Sequence, residues 1–155
     1  MTNEITDYNP GQATLLEMRA DSERFPRLKS LPREEAVAGM SRIVAQAFLY
    51  KGQAADPTNI QFIANALVTE LMDDQKFGAA FLSLAEIQVV VKRAVLQSDM
   101  FGISVASLYR VIMDFVKGEG HINQKKVDQM SRKGDNPHPI VWTYSGEYFR
   151  NHKNK

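Results

Sequence analysis

The chain has no cysteine. Disulfide scaffolds, cysteine-zinc centres and thiol catalysis are therefore excluded, and a reducing compartment fits. Long apolar runs are equally lacking: none approaches the roughly 18 residues that a membrane-spanning helix needs. The opening residues 1–7 are polar and acidic, unlike a secretory signal. A cytoplasmic protein with no membrane partner is expected. Catalytic signatures are missing too, with no glycine-rich phosphate loop, no G-x-S-x-G elbow and no H-E-x-x-H. His121, His138 and His152 all fall in the weakly patterned last quarter, where no regular helix would hold them against a carboxylate or serine. Asp73 and Asp74 are adjacent, so on a helix they point apart, and no third carboxylate is spaced to complete a metal site. The expectation is a non-enzyme without catalytic residues, cofactor or metal.

What is present describes a folded domain. At 155 residues, with 44% hydrophobic and 24% charged residues, the composition is close to a globular average. A chain of this size buries about two-thirds of its unfolded surface. Net charge is only +1 but unevenly placed. Residues 1–116 hold 11 Lys/Arg against 14 Asp/Glu, and residues 117–155 hold 8 against 4. An acidic-to-neutral body with a basic appendage is implied.

Four helical segments form the body. The first opens at Pro32 with Glu34 and Glu35 in its positive first turn, presents Val37, Met40, Val44, Ala47 and Phe48, and stops at Gly52. The second opens at Asp56-Pro57 and repeats Ile60, Ile63, Ala64, Leu67, Val68 and Leu71 at steps that keep one face apolar. The third starts with a capping box, Ser83 with Glu86, flanked by the staple pair Leu82 and Ile87, and runs to about Leu96. The fourth starts at Ser104 with the staple Ile103 and Leu108, and ends at Gly118. Val44, Phe48, Ile63, Leu67, Ile87, Val91, Leu108, Ile112 and Phe115 are expected to share one core. The fold class is all-α, a small bundle of about four main helices over 32–117. Residues 1–31, interrupted by Pro26 and Pro32, read as an N-terminal arm with a short helix between Gln12 and Arg19. Residues 118–155 read as a basic, aromatic C-terminal extension. It contains a short polar helix over 122–130 and a strand or extended segment over 140–144.

Two constellations carry functional expectations. Gly102 to Arg110 is built like the turn and recognition helix of a helix-turn-helix, with Ser104, Val105, Ser107 and Arg110 in its exposed N-terminal half. Capping and packing alone also account for every residue of that stretch, and the preceding helix has Gln97 and Ser98 where the motif wants an apolar and a small residue. In the extension, Trp142, Tyr144, Tyr148 and Phe149 are interleaved with Arg150, His152 and Lys153. Such rings and cations suit docking on a protein partner, stacking on a single strand, or folding back on the bundle.

The run Leu82 to Ile87, then Met100 to Ser104, Leu108 to Arg110 and Phe115 resembles a group of small helical proteins encoded by phages and mobile elements of Bacteroides-type bacteria. It is also distantly similar to the helical domain of phage replicative-helicase loaders. The resemblance covers about residues 57–116 and implies a helical accessory protein that binds a replication protein such as a helicase. The expected function is thus non-enzymatic binding of a macromolecular partner, with Trp142, Tyr144, Tyr148, Phe149 and Arg150 as contact residues. The alternative is DNA binding through Ser104, Ser107 and Arg110 or through the basic tail. Between the two, charge favours protein, because residues 104–116 offer only Arg110, offset by Asp114.

Overall fold

The computed structural model describes residues 13–97 and 102–132. In chain order the elements are α1 (Leu15–Ala20), a 3₁₀ turn (Leu28–Ser30), α2 (Arg33–Lys51), α3 (Pro57–Asp73), a second 3₁₀ turn (Ala79–Phe81), α4 (Leu84–Gln97), α5 (Val105–Lys117) and α6 (Glu119–Arg132). Among the described residues there is no strand, only an isolated antiparallel bridge between Arg27 and Ser83. No helix among them is long and apolar enough to cross a membrane. The all-α class holds.

Local chemistry explains most helix ends. Pro32 supplies the cap position just ahead of α2, one residue earlier than its expected place inside the helix. Gly52 closes α2 at φ 76°, a left-handed conformation that a side chain would strain. Asp56 accepts from the Asn59 amide at 2.7 Å and opens α3. Asp74, beyond the end of α3, accepts from the amides of Lys76, Phe77 and Ala79, so it organises a turn. Ser83 and Glu86 form the expected reciprocal box, with bonds of 2.9 and 3.1 Å.

The helices pack with definite directions. Arg33, at the start of α2, donates to the Asn65 carbonyl and to Thr69 Oγ1, and Ser41 further along donates to Gln61, so α2 and α3 are antiparallel. Gln88 donates to Gln46, and Lys92 lies over the Tyr50 ring, so α2 and α4 run the same way. α5 closes the bundle against α3 and α4. All nine residues expected to share a core are buried in one cluster. Gly39 lets α2 and α4 approach closely, because a Cβ there would stand 2.4 Å from Leu84 Cδ1.

The packed body is wider than the expected 32–117. Met18, Phe25 and Leu28 are fully buried, so residues 13–31 are part of the fold and not a loose arm. α1 docks on α4 and α6. The polar helix expected over 122–130 is longer, begins one residue after α5 across the non-helical Gly118, and buries Val127 against Leu16 and Ala20. The physical reason is reciprocal. The short α1 buries one face on α4, and α6 covers another, so neither expected boundary, 31/32 or 117/118, is an edge of packing. The strand or extended segment over 140–144 lies outside the described residues.

Candidate functional site

Gln53, just past the Gly52 cap of α2, accepts from the Ile103 amide at 3.1 Å and so fixes the start of α5 to the end of α2. With α4 alongside, this leaves an open groove of about 1020 Å³ between α4 and α5. Val90, Ala94, Ile103, Val111 and Phe115 make its floor. Polar and charged groups line its margins. Near the start of α6, Arg93 and Glu119 pair at 2.9 Å across α4 and α6, with both side chains nearly half exposed. An ion pair so exposed adds little stability.

The expected nucleic-acid residues divide within this groove. Ser104 and Ser107 form a capping box: the Ser104 hydroxyl accepts from the Ser107 amide, and Ser107 Oγ accepts from the Ser104 amide, each at 3.0 Å. Ser107 Oγ also donates to the Gly102 carbonyl at 2.8 Å. Both hydroxyls are therefore engaged in building the start of α5. Val105 is half-buried against the core. Arg110 differs. It is exposed on the groove margin and forms no ion pair among the described residues.

The expected partner-contact residues Trp142, Tyr144, Tyr148, Phe149 and Arg150 lie outside the described residues, as do His138 and His152. His121 is exposed on α6. Asp74 spends its carboxylate on turn amides, and among the described residues no group of three or more acids or histidines could hold a metal ion.

A second polar cluster escaped the sequence reading. Arg19 of α1, 4% exposed, pairs at 3.1 Å with Glu86 of α4, 0% exposed, and its guanidinium also donates to the Phe81 carbonyl. Arg27 donates to the carbonyls of Met18 and Arg19. The one available signal was Glu86 at the third position of a capping box, where a carboxylate already facing a buried helix start can take a second partner. The cluster is enclosed by backbone carbonyls and apolar side chains, which makes it a fastening, whereas the groove is open to solvent. Comparison of the chain with protein-family models, with curated proteins and with solved structures gives no match.

Proposed function

We propose that this chain is a non-enzymatic accessory protein that binds a macromolecular partner, a protein, through the groove between α4 and α5. The observation that carries the reading is the groove's make-up: an open apolar floor bounded by charged side chains, on rigid helices. Small-molecule sites enclose most of their ligand, whereas an open trough of this kind suits an amphipathic helix laid along it. The resemblance over residues 57–116 favours a replication protein of a phage or mobile element, such as a helicase, as the partner. Trp142 and Tyr144 would then add anchors from the C-terminal extension.

The test is affinity capture by full-length protein compared with Val111→Arg, which puts a charge on the half-buried floor. Circular dichroism should show unchanged helix content while capture of the partner is lost. Equal capture by both proteins rejects the groove. A second comparison uses a chain ending at Gly134. Loss of capture at an unchanged melting temperature supports the aromatic anchors, and a sharp fall in melting temperature assigns them to the core.

One observation favours a second reading. Arg110 is exposed, and forms no ion pair among the described residues, in the helix that follows the Gly102 turn, where a helix-turn-helix reads bases. Direct duplex binding would fall steeply with salt as phosphate contacts release counterions. Submicromolar, sequence-selective binding that Arg110→Ala abolishes would put DNA ahead of protein.

A further inference from the structure

We infer that the groove between α4 and α5 is the interface of a twofold dimer, in which α5 of a second copy of this chain lies antiparallel against α5. The inference rests on reading the groove as a docking surface, and it names the occupant in the isolated protein.

Two charges on α5 have no ion-pair partner among the described residues. Arg110 and Asp114 are both exposed, sit one turn apart on α5, and both line the groove. Neither takes part in an ion pair among the described residues, although Arg93 and Glu119 on the same groove do. Their order matters. A base four residues ahead of an acid is the weaker arrangement for an ion pair within one helix, because each charge also faces the unfavourable end of the helix dipole. The two groups are therefore available to a partner.

A twofold axis perpendicular to a helix sets it antiparallel to its copy, and residue pairs across the axis are reciprocal: if i faces j, then j faces i. With the axis at the level of Ile112, Arg110 of one protomer faces Asp114 of the other, and the reverse pair follows by symmetry. One helix face thus satisfies both of its own charges. Ala106, exposed and one turn ahead of Arg110, keeps the ridge low enough for helices to approach. Val111, half-buried beside these charges, adds apolar surface between the two pairs. A parallel approach would instead set Arg110 against Arg110, so the charges select the antiparallel one. A single helix pair covers less than the roughly 800 Å² per partner of a standard stable interface. The dimer is accordingly concentration-dependent.

The test is sedimentation velocity on the full chain over a hundredfold dilution series, with Arg110→Asp, Asp114→Arg and the double exchange R110D/D114R. Each single reversal places like charges opposite each other at two symmetric points, and should weaken the dimer by roughly tenfold or more. The double exchange restores both pairs and should return association to near the wild-type value. All four residues are exposed across the two copies, so equal helix content and melting temperature will confirm that folding is unchanged. A wild-type chain that stays monomeric at the highest concentration overturns the inference. So does a dimer indifferent to the single reversals, or a double exchange no better than either single. The groove reading fails separately. If the protein is monomeric yet Val111→Arg still abolishes capture, the groove binds another protein and only the twofold dimer is wrong.

Discussion

The α2–α5 core and the junction where α1 meets α4 solve the same problem with different materials. The core is a continuous cluster of aliphatic side chains with Phe48 and Phe115, and it needs no polar specificity. The junction has a small apolar cluster, Met18, Phe25 and Ala85, set beside a buried ion pair and an arginine that caps backbone carbonyls. Apolar burial is non-directional and scales with area, so it tolerates small shifts. A buried ion pair counts as favourable only while both partners are present and well placed. The junction should therefore be the more specific and the less robust of the two.

The largest effects will come from the core. Leu67→Ala and Ile87→Ala each remove a fully buried side chain and should cost about 2–5 kcal/mol through lost burial and the cavity left behind. Because the cluster spans four helices, the loss should appear as a lower midpoint of one cooperative denaturant transition. Values within about 0.5 kcal/mol of wild type would reject this core. Arg19→Ala comes next. It leaves the Glu86 carboxylate buried without its partner, a loss of up to about 3 kcal/mol, capped because α1 can open locally instead of unfolding the whole chain. Hydrogen exchange should accordingly rise at residues 15–28 more than in α3. The pair Arg19→Met with Glu86→Gln, which removes both charges, should recover much of the loss. Uniform exchange across the chain would erase the distinction between the two regions.

That distinction also marks what could be read from the residues alone. Starts and stops of α2 to α5 were legible because single residues cause them: Asp56, Ser83 and Ser104 accept backbone bonds, and Gly52 takes the left-handed turn. The apolar spacing then fixed which faces meet. The short helix between Gln12 and Arg19 was legible and is α1, but the docking of residues 13–31 was not, since two prolines signal interruption and arginines such as Arg19 and Arg27 ordinarily belong to the surface. Only the tertiary fold reveals that carbonyls from α1 and the second 3₁₀ turn converge on those guanidinium groups. α6 was half legible, because its buried stripe has Asn123, Val127 and Ser131 and so lacks an apolar signature. At the groove, Arg110 was legible as a candidate, whereas Gln53 was not, because its role depends on a partner 50 residues away.

A smaller effect tests how closely the core tolerates change. Gly39→Ala favours the helix by about 0.5–1 kcal/mol, but its methyl would meet Leu84 Cδ1 inside a buried contact. Overpacking of this kind typically costs about 1–3 kcal/mol, so a net loss is expected. Leu84→Val removes the clashing atom. The double variant G39A/L84V should therefore lose less than the sum of the two singles. Strict additivity would mean that α2 and α4 separate freely, contrary to a tightly packed core.

The smallest effect sharpens the comparison most, because one device occurs in both environments. Ser83 and Ser104 each cap a helix by accepting from the amide three residues on, at 3.1 and 3.0 Å. Ser104 is exposed, so water can replace the hydroxyl once it is gone, and Ser104→Ala should cost about 0.5–1 kcal/mol. Ser83 is fully buried, and its hydroxyl also donates to Glu86 Oε1 at 3.0 Å. Its removal leaves the Glu86 amide without an acceptor where no water reaches, and takes a donor from a carboxylate that already depends on Arg19. Ser83→Ala should therefore cost about 2 kcal/mol, near the upper end for a helix cap. It should also add to exchange at residues 15–28, since weakening Glu86 weakens the hold on α1. Denaturant midpoints for the two alanine variants decide the matter. Equal losses would mean that burial of the junction contributes nothing to the cap, and that the contrast between the two regions is one of composition alone.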